Sequence, residues 1–504
     1  VSAGDAQPGT VYLVGAGPGD GGLMTRRALE LVASADAVLY DRLIPQDALA
    51  GTRDDAMLLY AGKGPHGDSQ LQGSIEDRMI ELAQAGKSVV RLKGGDPLVF
   101  GRGAEEAARL AGLGIPFEIV PGVTAGVAAA AYAGVPVTHR EHAAAVAFVT
   151  GTENPDKSET TLDWTTLAAF PGTLVFYMGV RNLAEIAERM VEAGRRADEP
   201  VAVIERGTTS RQRTVTGTLS DIAQVAAQAQ IKPPALTVVG DVVRERERIG
   251  WFEQRPLLGR RVVVTRARAQ AGRLGRTLAQ LGAEVIEAPA IGTRPTHAAE
   301  VRGAIERIAG YDLVCCTSQN GVDALFGALT DAGLDARALA GARVAAVGRA
   351  TADAFAAHGI VADFVPERAT AEGLLELLAT DDWRGRHVLL AVAANARPVL
   401  REGLERCMAN VDQVAFYETL VEPLSDDHVE ALREADIVTF ASGSAVRAIV
   451  EALGGGDALG DQALISIGPT TSAALRECGL EPSSEAADPS IEGLVAAVLA
   501  ACAE

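Results

Sequence analysis

Val90-Arg91-Leu92-Lys93-Gly94-Gly95-Asp96-Pro97-Leu98-Val99-Phe100, continuing as Gly101-Arg102-Gly103-Ala104-Glu105-Glu106, is the stretch on which the fold turns. An apolar strand meets a Gly-Gly-Asp-Pro turn, and a helix with two early acids follows. Glycines in such a turn let the backbone approach a ligand closely, because no Cβ intervenes. Pro97 fixes the direction of exit. Arg102 sits between two glycines and offers a planar, permanent cation suited to a carboxylate. Upstream, Val11-Tyr12-Leu13-Val14-Gly15-Ala16-Gly17-Pro18-Gly19-Asp20 superficially follows the dinucleotide fingerprint G-x-G-x-x-G. Asp20 stands where its third glycine belongs, and Pro18 lies inside the turn.

Strand and helix patterns alternate outward from these turns. Strands are expected at 11–14, 37–40, 88–92, 116–120, 145–150, 173–178, 201–204 and 235–243, and helices at 22–34 and 74–85. Such alternation predicts α/β layering. The charged run Arg244–Arg248 closes this half, Trp251–Pro256 reads as a linker, and an apolar strand at 261–266 opens the second half. That half repeats itself. Asp312–Ser318 is echoed by Asp436–Ser442, Val347–Thr351 by Ile467–Thr471, and Ala371–Leu374 by Ile491–Leu494. Offsets of about 120 positions predict two similar α/β lobes. Their strand–Ser/Thr–helix junctions place hydroxyls and N–H groups where a helix begins, a place suited to anions.

Composition narrows the function. The chain has 504 residues, 48% hydrophobic and 22% charged, with net charge −20. That acidity argues against a nucleic-acid partner. No apolar run is long enough to span a bilayer, so no membrane partner is expected. The first residues have no basic region followed by an apolar core, so no signal peptide is expected. Five cysteines, an odd number without C-x-x-C spacing, fit a reducing cytoplasm and argue against a disulfide or zinc framework. His139 and His142 form an H-x-x-H with no evident third ligand, so no metal is expected.

Taken together, G-A-G-P-G-D and V-R-L-K-G-G-D-P-L-V-F-G-R-G-x-E-E resemble the tetrapyrrole methylase family, in particular uroporphyrinogen-III C-methyltransferase. Tyr40-Asp41-Arg42-Leu43, Gly62-Lys63, Pro121–Ala125, Tyr132–Arg140 and Phe176-Tyr177-Met178-Gly179 match in order. The resemblance implies a two-lobed methylase fold over 9–245 and S-adenosylmethionine as methyl donor. It implies Asp41 as proton acceptor and Lys63 as proton donor, with Arg102, Glu105 and Arg140 holding or polarising the substrate. Donor binding would use Pro18, Gly94, Gly95, Asp96, Val99, Thr124, Ala125, Met178 and Gly207. Asp96 could accept from a donor hydroxyl or ammonium group. Taken alone, Asp41 would be a strand-end cap, Lys63 a solvated lysine and Met178 a core filler. Arg42, Lys63, Arg91, Lys93, Arg102 and Arg140 are the cations available to an acidic tetrapyrrole. The chain departs from the family at Gly64–Asp68 and at Gly151-Thr152.

From about Arg260 onward, the chain resembles uroporphyrinogen-III synthase. The carrying residues are Val264-Thr265-Arg266, Thr317-Ser318-x-x-Gly321-Val322, Phe416–Thr419, Ser442–Val446, Gly468–Thr471 and Glu492–Leu494. The resemblance implies a discontinuous first lobe, about 259–291 plus 422–504, and a second lobe of about 292–421, after a linker at 246–258. It implies Tyr417 at the cyclisation site and Arg266, Ser318, Ser442, Ser444, Thr470 and Thr471 as substrate contacts. Ala391–Arg397 departs from the family's usual turn. The whole then reads as a cytoplasmic bifunctional enzyme, homodimeric through its methylase half. It would cyclise hydroxymethylbilane to uroporphyrinogen III and methylate that product twice to precorrin-2, on the sirohaem and cobalamin branch. Two other readings are a later corrin intermediate as methyl acceptor and a non-catalytic, tetrapyrrole-binding second half.

Overall fold

The computed structural model describes residues 5–45, 47–61, 72–152, 162–266 and 268–502. They divide into two units at Arg260–Arg261, apart from Leu281–Glu284, which group with the first. The α/β class expected from the sequence is the one observed, with two sheets in each half.

In the first unit, β1 (Val11–Gly15), β2 (Ala37–Tyr40), β3 (Met57–Tyr60), β4 (Val89–Lys93) and β5 (Phe117–Val120) form a parallel sheet in the order β3-β2-β4-β1-β5. Its two faces bury alternate residues, as the period of a strand requires. Tyr12, Val14, Val38, Val90 and Leu92 lie in one core, and Val11, Leu13, Leu39 and Val89 in the other. The chain leaves β1 toward β2 and leaves β4 in the opposite sense toward β5. The crevice above the ends of β1 and β4 is therefore a topological switch point, where open α/β sheets take ligands. Both motif turns lie there.

A second, mixed sheet follows: β6 (Val146–Thr150), β7 (Thr173–Tyr177), β8 (Pro200–Glu205), β9 (Arg213–Thr218) and β10 (Ala235–Val239), in the order β6-β7-β10-β8-β9. Two elements fall well short of their pattern. Gly240 at φ +146° turns the chain out of β10 into a 3-10 turn at Asp241–Glu245. The helix expected at 22–34 is split. Asp20 caps a 3-10 turn at Gly21–Leu23, and Thr25 caps a separate helix at Arg26–Ser34. The stretch 246–258, read as a linker, is built into this unit. It forms a short helix at Arg246–Ile249, and Phe252 and Leu257 are buried. The Trp251 and Phe252 rings pack on Tyr132. The run of charges masked an apolar face.

In the second unit the chain starts one sheet with β11 (Arg261–Val264) and β12 (Glu284–Glu287). It then builds a second sheet from β13 (Ile291–Pro295), β14 (Leu313–Cys316), β15 (Arg343–Ala346), β16 (His387–Ala393) and β17 (Asn410–Val421). It returns to the first with β18 (Ile437–Phe440), β19 (Ala463–Ser466) and β20 (Ser484–Glu485). The orders are β12-β11-β18-β19-β20 and β13-β17-β16-β14-β15. The repeat is visible in the caps. Ser318 accepts from Gly321 N–H after β14, and Ser442 accepts from Ala445 N–H after β18. Thr370 and Ser490 do the same for Gly373 and Gly493.

Among the described residues no helix is long and apolar enough to cross a membrane.

The crevice depends on glycines packed backbone to backbone. A Cβ on Gly122 would lie 2.2 Å from the Gly95 carbonyl oxygen and 2.8 Å from Gly15 Cα. Gly122→Ala is therefore expected to destabilise the protein by about 1–3 kcal/mol, the usual range for overpacking. Urea denaturation with an unchanged midpoint would contradict this.

Candidate functional site

Gly17 and Gly95 exchange two backbone hydrogen bonds, Gly17 N–H to Gly95 O at 3.2 Å and Gly95 N–H to Gly17 O at 2.7 Å. This clamps the turn after β1 to the turn after β4. Gly95 has φ +70°, and a Cβ built on it has no neighbour nearer than 3.9 Å; the nearest atoms belong to Thr124 and Ala125. The buried turn at Gly95 is thus bare backbone, with Thr124 and Ala125 at ordinary contact distance from where a side chain would begin. Gly94 is constrained differently, since its Cβ would meet Leu43 O at 2.8 Å. Pro18 and Val99 are half-buried in the two turns.

Asp96 works on the protein itself. Its Oδ1 accepts from Leu98 N–H at 2.8 Å and its Oδ2 from Gly122 N–H at 3.1 Å. It ties the loops after β4 and β5 together, so both oxygens are already engaged by backbone donors. Thr124 precedes the helix Ala125–Tyr132 but does not cap it. The Tyr177 hydroxyl accepts from Gly126 N–H and shares a hydrogen with the Thr124 hydroxyl, both at 2.6 Å. Burial pushes the Tyr177 phenol up, which keeps it a neutral donor and acceptor. Its ring also packs on Phe100 and Phe148. Tyr177 was missed as a site residue, although Phe-Tyr-Met-Gly was a motif. Its signal was a tyrosine at the end of a buried strand, whose hydroxyl needs a partner.

Met178 is not a core filler. It is 52% exposed with φ +56°, and its carbonyl accepts from the Thr152 hydroxyl. Gly207 lies between Arg206 and Thr208, both at positive φ, and a Cβ there would strike Ala129 Cβ at 2.3 Å. Its smallness serves helix packing. The turn carrying Gly207 meets the first motif, because Thr208 Oγ1 accepts from Asp20 N–H at 3.1 Å. Asp20, the misfit in the glycine fingerprint, also accepts from Gly22 N–H and from the Tyr132 hydroxyl.

At the sheet edge, Arg91 donates to Asp41 Oδ1 at 2.7 Å. Arg91 and Lys93, read as substrate cations, are instead buried against Glu106, with Lys93 Nζ 2.9 Å from Glu106 Oε1. Burial holds the Lys93 ammonium below its usual range, with Arg91 adding to the effect. Arg102 is exposed at φ +59°, and its Nε donates to Glu105 Oε2 at 2.7 Å. Arg140 is exposed in a tight turn closed by paired hydrogen bonds between His139 and Ala143. Lys63 lies outside the described residues. His139, Glu141 and His142 bring possible ligand atoms within 4.8 Å of one another. However, the two imidazoles stack 4.6 Å apart and 22° from parallel, so their in-plane lone pairs do not converge on one point.

In the second unit, the Tyr417 hydroxyl lies 2.8 Å from Ser318 Oγ, and burial pushes the Tyr417 phenol up. The structure thus joins two of the expected residues. Arg266, Ser442, Ser444, Thr470 and Thr471 follow the ends of the neighbouring strands β11, β18 and β19. Strand β11 stops at Val264, so Arg266 lies past it; burial lowers its affinity for a proton. Ser444 and Thr470 are exposed, while Thr471 is buried and turned away from solvent. Thr471 is better placed to pack than to contact a substrate.

The family model "Tetrapyrrole (Corrin/Porphyrin) Methylases" matches residues 10–223, and that of "Uroporphyrinogen-III synthase HemD" matches residues 272–496. A porphyrin biosynthesis protein HemD from Ruminiclostridium josui is 36% identical, over 88% of this chain and 89% of the relative. A siroheme synthase from Pseudomonas fluorescens (strain Pf0-1) is 50% identical over 49% of this chain; the match spans 52% of that relative, about half its length. A solved uroporphyrin III C-methyl transferase from Thermus thermophilus is 40% identical over 47% of this chain and 99% of that one, with TM-score 0.41. The chain belongs to the porphyrin-biosynthesis family in which a tetrapyrrole methylase domain is followed by a uroporphyrinogen-III synthase domain.

The Tyr177 hydroxyl replaces the missing Thr124 cap, so Tyr177→Phe is expected to cost about 1–3 kcal/mol through the Gly126 N–H left unsatisfied. Calorimetric unfolding of the full chain checks this, and an unaltered profile would show that the bond carries no stability.

Proposed function

We propose that the second half cyclises hydroxymethylbilane to uroporphyrinogen III and that the first half methylates this product twice with S-adenosylmethionine, giving precorrin-2. The methylase domain would comprise 9–245, with 246–258 packed into the same unit, and the synthase domain 259–504, with lobes at about 259–291 plus 422–504 and about 292–421. The observation that carries the reading is the side-chain-free glycine turn at the β1–β4 switch point, where Gly17 and Gly95 are bonded backbone to backbone. When bound, S-adenosylmethionine supplies a methyl group at a sulfonium carbon. The residues present suit it. Gly95 carries no Cβ to keep a ligand from the backbone, Thr124 and Ala125 lie beside it, and Met178 follows the second sheet's β7 with an exposed side chain.

In-line transfer needs fixed orientation and exclusion of water more than a protein nucleophile. The acceptor is an electron-rich ring carbon. Asp41 would take up the proton released as the ring rearranges, with Lys63 as proton donor. Arg102, steadied by Glu105, would grip acetate or propionate arms together with Arg140. In the second half the Tyr417 hydroxyl, paired with Ser318, would donate a hydrogen bond to the departing hydroxyl of the bilane. Arg266, Ser442, Ser444 and Thr470 would meet substrate carboxylates. The protein would act in the cytoplasm as a homodimer paired through its methylase half.

Calorimetry on the full chain tests the crevice. Gly95→Leu should weaken S-adenosylmethionine binding by about 10- to 100-fold, given the cost of forced overpacking. Arg102→Ala should leave that affinity nearly intact but cut methylation by about 10- to 100-fold, as expected for a lost charge-assisted contact. Unchanged donor affinity in the first variant, or collapsed donor affinity in the second, contradicts the assignment.

Tyr417→Phe keeps the ring and removes only the hydroxyl. Cyclisation of hydroxymethylbilane should fall about 3- to 10-fold, the worth of one hydrogen bond. Full activity would assign Tyr417 to packing alone.

A further inference from the structure

Strand β4 poses an electrostatic problem that the methyl-transfer reading leaves unused. It is the middle strand of a parallel sheet, where both faces are normally apolar. Yet Arg91 and Lys93, two positions apart and so on one face, are 3% and 4% exposed. They share that face with Val89, Leu39 and Leu13, against the helix Gly103–Gly112. Burying two cations there is costly without counter-charges.

One counter-charge is Glu106, 1% exposed, on the same helix as Glu105 and one turn after Arg102, which precedes the helix. Its Oε1 accepts from Lys93 Nζ at 2.9 Å and lies 3.5 Å from Arg91 Nε. Two cations thus face a single buried carboxylate. Asp41, at the end of β2, supplies the second negative charge. Arg91 reaches it through Nη2, while Nη1 lies 3.5 Å from Leu39 O and 3.4 Å from Leu92 O. The chain Lys93–Glu106–Arg91–Asp41 runs from three buried groups to one that is partly exposed. Its last side chain, 31% exposed, is the first to meet solvent.

Stability does not account for this cluster. Arg91 Nε and Glu106 Oε2 are buried without a hydrogen-bond partner. Apolar residues of similar volume are commonly as stable as a buried ion cluster, or more so. What the cluster does supply is a guanidinium that cannot lose its proton and is held from several sides. That guanidinium engages one Asp41 oxygen and leaves the other for chemistry.

We propose that Arg91 is a positioning residue for methyl transfer, locked by the buried Lys93–Glu106 pair so that it aims the Asp41 carboxylate at the methyl acceptor. This rests on the reading of Asp41 as proton acceptor.

A double-mutant cycle on the full chain tests it. Methylation kinetics are measured with uroporphyrinogen III, and calorimetry with S-adenosylmethionine reports whether the crevice is intact. Asp41→Asn should slow turnover by about 100-fold or more, as for loss of a general base. Arg91→Lys keeps the charge but loses the fork. It should lower kcat by about 10- to 100-fold, the cost of a misplaced group. Donor affinity and tetrapyrrole KM should stay within about twofold, since only the turnover step is affected. In the Asp41→Asn background, Arg91→Lys should cost less than about twofold, because coupled residues are not additive. Glu106→Gln, nearly isosteric, should show the same pattern and decides the matter if Arg91→Lys loses donor binding. Full turnover in Asp41→Asn removes the base assignment and this inference with it. If Asp41→Asn is slow, but the Arg91 and Glu106 changes cost nothing or multiply with it, the inference alone is overturned.

Discussion

The pair of backbone hydrogen bonds between Gly17 and Gly95 is the constraint around which the first half is arranged. It joins two turns that leave adjacent parallel strands in opposite directions. Bonding at that distance leaves no room for side chains, so Gly15 and Gly122 must also be bare. The loop after β5 is drawn to the same point by Asp96 through Gly122 N–H. The second sheet joins through Tyr177 on Gly126 and through Thr208 on Asp20. Together these contacts set the bare backbone of Gly95 beside Thr124 and Ala125. The glycine turn is thus held by a set of contacts that each have another purpose.

The two halves build their polar edges differently. The first relies on glycine backbone and a few tyrosine and aspartate ties. Its charges are buried on β4 and the helix behind it, and reach solvent through Asp41. The second relies on hydroxyl caps repeated at equivalent junctions. Ser318, Thr370, Ser442 and Ser490 each satisfy a helix N–H that would otherwise lack a partner. One cap, Ser318, is additionally bonded to Tyr417, which sets the second sheet apart from its repeat.

Much of this was legible in the sequence. The α/β class and the doubled second half followed from strand–turn–helix spacing, because buried strands and capped helices have strong local signals. The family followed from motifs whose glycines and turns have little freedom to vary. The roles inside the motifs were harder to read. Asp96 looks like a ligand acceptor alone, yet its two backbone donors show that it also ties two loops together. Arg91 and Lys93 look like surface cations until Glu106, which follows the turn, is found beneath the sheet. Met178 looks apolar and buried, yet it sits exposed at positive φ. In each case the decisive partner comes from another element, and a local pattern holds no information about it. The same applies to 246–258, whose charges hid the burial of Phe252 and Leu257.

The discontinuous course of the second half has a consequence for synthesis on the ribosome. Strand β11 pairs with β18, yet the whole β13–β17 sheet is encoded between them. At about 5–20 residues per second, β11 emerges roughly 10–35 s before its partner exists. The inserted sheet, by contrast, draws all its strands from one continuous segment and can close first. During that interval the apolar residues Val262, Val263 and Val264 lack the neighbour that later buries them. The nascent chain thus passes through a stage in which this hydrophobic strand has β12 on one side but an unpaired edge on the other, the kind of exposed edge that chaperones engage.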